Sequence, residues 1–175
     1  MIKGSSPTRS ELRSTRYPFA IRRSPIAGHG AIATRRIRKG QRIIEYLGEI
    51  ISQKESERRY PDGENNDNHH TFLFEIDDKK VIDASYDGNE ARFINHACQP
   101  NCEAIDEEGR IFIFARKNIQ PGIELVYDYN YPRERGDGPE EAGQYPCRCG
   151  SRRCRGSIME ARKRKRNKST RGGRQ

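Results

Sequence analysis

Three cysteines lie close together near the end of the chain, at Cys147, Cys149 and Cys154. A structural zinc site is tetrahedral and almost always has four protein ligands, so the C-x-C-x4-C spacing leaves one ligand missing. The fourth ligand must come from elsewhere in the fold, and the remaining cysteines are Cys98 and Cys102. We expect Cys98 to complete the site, with Cys102 as the alternative. Such a site ties the end of the chain to the segment that supplies the fourth ligand.

Cys98 belongs to a segment with unusual polar content, N-H-A-C-Q-P-N at residues 95–101. A metal site there would hold the end of the chain over the Asn95–His96 pair, so we expect this pair to be part of an active site. His96 is a further candidate for the fourth zinc ligand, because imidazole nitrogen, like thiolate sulfur, binds zinc in proteins.

Composition indicates an intracellular protein of one domain. The chain has 175 residues, enough for a core, although only 32% of them are apolar. It has no run of about 18 apolar residues that could span a membrane, and no secretory signal at its start. An odd number of cysteines, five, favours metal ligation in a reducing compartment over disulfides. We expect a cytoplasmic protein if the source is bacterial, and a nuclear or chromatin protein if the source is eukaryotic or the protein is delivered to a host.

The positive charge is concentrated at the end of the chain. Residues 152–175 contain eleven Lys or Arg and one acid, a net of +10, whereas the remaining 23 bases and 24 acids give −1. A zinc-stabilised nucleic-acid or chromatin-binding module, the alternative function, would need a basic body, and this body is neutral. We expect residues 161–175 to form a disordered tail that contacts nucleic acid, targets the nucleus or only improves solubility. Residues 62–110, with thirteen acids and four bases, suit a basic partner such as a Lys- and Arg-rich peptide, or form a solvated acidic surface.

Short apolar runs between turn residues predict a mainly β protein. Strands are predicted at residues 19–23, 30–34, 42–47, 71–77, 81–84, 110–116 and 123–127. Ser52 followed by Glu55 is a capping box, which predicts a short helix to about Tyr60. One further helical turn is predicted at residues 89–94, and residues 62–70 read as a polar loop.

Four sequence blocks precede the cysteine triplet: G-H-G at 28–30, E-Y-L-G-E at 45–49, R-F-I-N-H-A-C-Q-P-N at 92–101 and E-L-V-Y-D-Y at 124–129. In this order they resemble the SET-domain protein lysine methyltransferases, with the cysteine triplet as a post-SET zinc segment. The trithorax-like branch is the most similar, since no cysteine precedes Cys98. The resemblance implies a SET fold of small curved sheets with a C-terminal pseudoknot.

The resemblance also implies an activity and a division of the chain. The activity is S-adenosylmethionine-dependent methylation of a lysine in a protein, such as a histone or another basic tail. The expected regions are a flexible N-terminal segment (1–16), the SET domain (17–131), the post-SET zinc segment (141–160) and the basic tail (161–175). The expected single structural zinc site consists of Cys98, Cys147, Cys149 and Cys154. Nothing in the sequence indicates an oligomeric state.

Methyl transfer requires a neutral lysine amine behind a methyl group on a sulfonium. Holding a lysine neutral at pH 7 costs about 4 to 5 kcal/mol, given its unperturbed pKa near 10.4. Dry aromatic walls help, because burial lowers that pKa. Tyr127 and Tyr129 are two residues apart at the end of a predicted strand, so they should face the same side. The resemblance implies that Tyr129 is the catalytic tyrosine and that Tyr127 sets how many methyl groups fit. Without the resemblance, each would be interpreted as an ordinary core or edge-strand tyrosine.

The resemblance assigns the cofactor to two parts of the chain. Asn95 and His96 hold the adenine end, and the Gly28-His29-Gly30 turn approaches the cofactor closely, although a Gly-x-Gly turn is more often a simple hairpin connection. Phe72 stands where relatives often have a tyrosine near the cofactor, and Ala97 where they usually have a serine. We expect mainly monomethyl-lysine, with some dimethyl-lysine. A degenerate module that binds without catalysis would have lost Tyr129 or Asn95, and both are present.

Overall fold

The structure is a computed structural model that describes residues 16–61, 72–133 and 139–161. The structure does not describe residues 1–15, 62–71, 134–138 and 162–175. These ranges contain nearly all of the predicted N-terminal segment, the predicted polar loop and nearly all of the basic tail. The predictions for the flexible N-terminal segment and the tail therefore stay predictions.

The described residues form ten short strands and three short helical segments. The strands are β1 (Phe19–Arg23), β2 (His29–Ala33), β3 (Arg42–Glu45), β4 (Glu49–Ser52), β5 (Leu73–Asp77), β6 (Lys80–Asp83), β7 (Asn95–His96), β8 (Cys102–Glu107), β9 (Arg110–Ala115) and β10 (Val126–Tyr127). The helical segments are α1 (Gln53–Arg59), a 3-10 turn (Glu90–Phe93) and α2 (Pro139–Gln144). No helix among these residues has the length and apolar character needed to cross a membrane.

The strands pair into four small sheets. β1 pairs with β2, and two three-stranded antiparallel sheets have the orders β3-β9-β8 and β4-β6-β5. β7 and β10 form a short parallel pair, in which Asn95 lies opposite Val126 and His96 opposite Tyr127. The mainly β fold of small sheets is thus confirmed, and the parallel pair is the crossing that the expected pseudoknot requires.

One buried cluster joins these sheets. Its largest fully buried apolar side chains come from the turns as well as the strands: Ile37, Ile94, Ile113, Ile119 and Leu125. Burying each such side chain contributes about 1.5 to 3 kcal/mol. Ile37 and Ile119 pair through backbone hydrogen bonds of 2.9 and 3.0 Å, so two irregular connections close one end of the core.

The helix prediction is confirmed, but only half of its capping box forms. Ser52 caps α1 by accepting a hydrogen bond from the backbone N–H of Glu55 at 3.1 Å. The Glu55 carboxylate does not return to Ser52; it binds Arg58 and Arg59 instead. Arg59 also reaches the fully buried carboxylate of Asp83 at 3.1 Å, so α1 is fastened to the β4-β6-β5 sheet.

Three strands, β4, β7 and β8, were not predicted from the sequence pattern, and a fourth, β10, is shorter than predicted. β8 was not predicted because C-E-A-I-D-E is acidic and half exposed; it forms because all six of its residues pair with β9. β4 was not predicted either, since only three residues separate it from β3 along the chain. The predicted strand at 123–127 shortens to β10, with Glu124 in an isolated bridge to Ile32.

Asn101 braces the chain where β10 begins. Its buried side chain donates from Nδ2 to the Glu124 carbonyl at 2.7 Å and accepts the backbone N–H of Val126 at Oδ1, at 2.9 Å. The backbone N–H of Asn101 also donates to the Val126 carbonyl at 3.2 Å. One side chain thus satisfies backbone groups that no neighbouring strand reaches.

We predict that Asn101→Ala lowers the free energy of unfolding by about 2 to 4 kcal/mol, because two backbone groups lose their partners. Asn118→Ala is the matched control: Asn118 is exposed and accepts one hydrogen bond, from Lys39, so its loss should cost less than about 1 kcal/mol. Urea unfolding followed by circular dichroism measures both. Equal losses in the two variants would contradict the bracing role.

Candidate functional site

The parallel pair β7–β10 places the Asn95–His96 segment beside the two predicted catalytic tyrosines. The backbone N–H of Ala97 donates to the Tyr127 carbonyl at 3.0 Å, and the backbone N–H of Tyr129 donates to His96 Nδ1 at 3.1 Å. Residues some thirty positions apart in sequence are therefore held edge to edge, as the resemblance implied.

Tyr127 and Tyr129 contact each other at the centre of an aromatic cluster. Their ring centroids are 4.8 Å apart, and Tyr127 also stacks on Phe74 at 6.2 Å. The expected proximity is present, although its reason differs: β10 ends at Tyr127, and Tyr129 lies beyond the strand. Tyr127 is buried, whereas Tyr129 keeps 37% of its surface exposed. The cluster therefore has one wall inside the core and one at the surface.

Both phenols are held in the neutral form. Burial raises the pKa of the Tyr127 and Tyr129 hydroxyls, and the Glu124 carboxylate adds to the shift at Tyr129. The Tyr129 hydroxyl donates to the Ile94 carbonyl at 3.1 Å. It can orient a substrate by hydrogen bonding, but it has no tendency to act as a phenolate base at neutral pH.

Asn95 belongs to a polar network that sequence reasoning missed. Its Nδ2 lies 2.8 Å from Glu124 Oε1, 3.0 Å from the His29 carbonyl and 3.2 Å from Ser24 Oγ. Ser24 donates in turn to the Glu124 carboxylate at 2.8 Å. A Cβ at Gly30 would come within 2.2 Å of Glu124 Oε1, so a side chain at position 30 would displace the carboxylate that binds Asn95. The acidic residue that begins the E-L-V-Y-D-Y block was the available signal.

The Gly28–Gly30 turn and Phe72 meet on either side of one ring. Phe93 contacts His29 edge-on at 6.3 Å and Phe72 at 6.1 Å. Arg92 lies over both Phe72 and Phe93, and its Nε is buried without a hydrogen-bond partner among the described residues. The structure thus places His29 beside Asn95 and, across the Phe93 ring, near Phe72, with Arg92 in the same cluster.

His96 is positioned as a neutral hydrogen-bonding residue. Burial lowers its pKa to about 4, against the opposing effect of the Asp128 carboxylate. Since Nδ1 accepts the Tyr129 N–H, the proton belongs on Nε2, which faces Cys98 Sγ at 3.4 Å. The cysteine cluster described next does not include His96, so its alternative role as a ligand finds no support.

Four cysteines converge as the spacing predicted. The Sγ atoms of Cys98, Cys147, Cys149 and Cys154 lie within 4.8 Å of one another. Cys98 Sγ is 3.7 Å from that of Cys147 and 3.9 Å from that of Cys154. A tetrahedral zinc with Zn–S bonds of about 2.3 Å needs sulfur atoms about 3.8 Å apart, so the donor set and its spacing fit zinc.

Cys102, the alternative ligand, lies elsewhere. It is fully buried in β8, and its thiol donates to Asn101 Oδ1 at 3.3 Å. Burial raises the pKa of this thiol to about 12, which opposes the thiolate form that a metal needs.

Comparisons with known proteins agree with this arrangement. Residues 28–130 match the SET domain family. The chain is 39% identical over 150 residues to "Histone-lysine N-methyltransferase, H3 lysine-4 specific" of Mycosarcoma maydis, covering 83% of this chain and 10% of that protein. It is 43% identical over 139 residues to "Histone-lysine N-methyltransferase trithorax" of Drosophila virilis (76% and 3%). It is 38% identical over 149 residues to the human "Histone-lysine N-methyltransferase 2B" (82% and 5%). The chain thus spans a tenth or less of the length of these relatives.

We predict about one zinc per chain, with ligation by thiolates of the four clustered cysteines. Cys98→Ser should lower the zinc content measured by elemental analysis, whereas Cys102→Ser, the matched control, should retain it. Because metal binding is coupled to folding, chelation should also raise amide exchange at residues 145–158. Loss of zinc in Cys102→Ser but not in Cys98→Ser would show that the fourth ligand is wrongly assigned.

Proposed function

Since this chain belongs to the SET-domain family, we propose that it methylates a lysine side chain of a protein, with S-adenosylmethionine as the methyl donor. The observation that carries the proposal is the contact between β7 and β10, which sets the Asn95–His96 pair against Tyr127 and Tyr129. The four-cysteine cluster lies at the same place, through Cys98.

The described residues suit S-adenosylmethionine, which supplies its methyl group from a sulfonium. We propose that Gly28, His29, Gly30, Phe72, Asn95 and His96 hold it, with Arg92 as an addition. The buried Nε of Arg92, without a partner among the described residues, would suit the carboxylate of an amino-acid moiety. Asn95 and the neutral His96 are buried polar residues with hydrogen-bonding groups, which favours a polar ligand over an apolar one beside them.

The aromatic cluster suits a lysine substrate. Tyr127 and Tyr129 present ring faces to an alkyl chain, and their neutral hydroxyls can orient an amine without charging it. The walls are apolar and partly buried, which lowers the pKa of an entering ammonium group and favours the nucleophilic amine. Tyr129 is the proposed catalytic residue, because it stands at the exposed end of the cluster.

The names of the relatives suggest the substrate and its location. The Mycosarcoma maydis protein is named for lysine 4 of histone H3, and we propose the H3 tail as the substrate of this chain. This assignment implies a nuclear, chromatin-associated protein, in keeping with the three eukaryotic relatives. The eight bases and no acids of residues 161–175 would add a contact with nucleic acid. The boundaries 17–131 and 141–160 remain predictions.

The proposal is tested by incubating the zinc-loaded chain with labelled S-adenosylmethionine and an H3 tail peptide, with mass spectrometry as the readout. We expect methylation at lysine 4 and none on the same peptide with arginine there. Tyr129→Phe should lower turnover about 100-fold or more, because the hydroxyl oxygen, oriented by its bond to the Ile94 carbonyl, could no longer accept a hydrogen bond from the amine and align it. Tyr86→Phe makes the same chemical change at an exposed tyrosine and should leave turnover unchanged. Inactivity of the wild type on H3 peptides and on a lysine peptide array would refute the proposal.

The product should depend on Tyr127. Its hydroxyl takes up space beside Tyr129 and would hold a water that must leave before a methylated amine can turn. That displacement costs on the order of 1 to 2 kcal/mol, which slows later methylations about tenfold or more. We therefore propose mainly monomethyl-lysine, with some dimethyl-lysine, from the wild type. Tyr127→Phe should shift the product toward di- and trimethyl-lysine in mass spectra, whereas Tyr86→Phe should not. An unchanged product ratio in Tyr127→Phe would show that this hydroxyl does not limit the channel.

A further inference from the structure

Arg155, the residue after the last cysteine of the cluster, makes a two-pronged ion pair with Asp128. Nη1 lies 2.6 Å from Oδ2, and Nη2 lies 2.8 Å from Oδ1. Both side chains are about three-quarters buried. Parallel pairs of this kind fix direction as well as distance, unlike exposed single contacts between charged side chains. The C-terminal segment is therefore fastened to the chain between the two catalytic tyrosines.

The same arginine touches the cysteine cluster through its main chain. Its backbone N–H donates to Cys98 Sγ at 3.3 Å. The Nε of Arg155 is buried without a partner among the described residues, so the guanidinium gives up one hydrogen bond to face Asp128. One residue thus connects the thiolate of a proposed metal ligand with a carboxylate of the catalytic segment.

Asp128 controls the turn that carries Tyr129. Its Oδ1 accepts the backbone N–H of Asn130 at 3.1 Å. Asn130 has a φ of +52°, in the left-handed region, which asparagine adopts more readily than most residues other than glycine. The Asp128 carboxylate holds this turn through the Asn130 N–H, from a position that Arg155 fixes.

We propose that Arg155 is a positioning residue that couples the metal-bound cysteine cluster to Tyr129, by holding Asp128 and thereby the turn at residues 128–130. This inference rests on the proposed function for its consequence in turnover, but the coupling itself is a property of the fold. When the cluster is assembled, the main chain at Arg155 is anchored on Cys98 and the guanidinium is presented to Asp128. When the metal is removed, both anchors are released together.

Arg153, two residues before Arg155, offers a matched control. Arg153 is exposed in the same segment and changes the net charge equally when replaced by alanine. Arg155→Ala removes the ion pair, Arg155→Lys retains the charge but not the two-pronged geometry, and Asp128→Asn neutralises the partner while keeping its shape. All are compared as zinc-loaded full-length chains.

Three measurements separate positioning from general stability: zinc content, exchange of the Asn130 amide followed by NMR, and steady-state kinetics on the H3 peptide. We expect Arg155→Ala to keep its zinc, to lose protection at Asn130 and to lose about 10- to 100-fold in kcat. Its KM for peptide should change by less than about threefold. Arg155→Lys should be intermediate. Chelation should deprotect Asn130 in the wild type and add little in Arg155→Ala.

Two results would overturn the coupling. Loss of zinc from Arg155→Ala would make the arginine part of cluster assembly, and Asn130 exchange and kcat equal to those of Arg153→Ala would leave it without a role. If Arg155→Ala does not fold, Arg155→Lys and Asp128→Asn decide the matter by the same readouts. If the wild type methylates no peptide, the proposed function fails, whereas Asn130 exchange still tests the coupling.

Discussion

β7 and β10 form a parallel pair with only two residues in each strand, and the whole candidate site depends on this pair. A pair this short cannot persist by its own hydrogen bonds, so its stability must come from its surroundings. Asn101 supplies side-chain partners to the chain on either side of Leu125, and the backbone N–H groups of Ala97 and Asn101 donate to the carbonyls of Tyr127 and Val126. Leu125 itself is fully buried, which anchors the strand in the core.

Buried polar groups set the precision of this site. Asn95, His96 and Asn101 are each less than a tenth exposed, and each finds partners in backbone or carboxylate groups. Such groups stabilise little on balance, but leaving any of them unpaired is expensive, so few arrangements of the segment are tolerated. The need to keep Asn95 paired also explains why Gly30 and Glu124 lie so close together. A larger residue at position 30 would displace the carboxylate that orders Asn95.

Local signals in the sequence predicted part of the structure. The rest depends on contacts between distant residues, which no local signal reveals. Alternation identified β9, and the Ser52 cap identified α1. The cysteine spacing predicted a cluster of cysteines that includes a distant fourth member, and the four sulfur atoms do lie together. β8 escaped because its pairing with β9, rather than its own composition, makes it a strand. Ser24, Arg155 and the role of Asp128 could not be read from any pattern, since each depends on contacts between residues 27 to 100 positions apart.

The position of the cysteine cluster has a consequence for the unfolded chain. Cys98 and Cys147 are 49 positions apart, and the segment between them contains β8, β9, β10 and the two tyrosines proposed for the active site. Once zinc binds as proposed, this segment becomes a closed loop. Closing a loop of that length by a cross-link removes about 4 kcal/mol of chain entropy from the unfolded ensemble. A disulfide would impose the same restriction only where the surroundings are oxidising, whereas a metal imposes it reversibly. Free zinc concentration would then set how often the catalytic half of the domain opens.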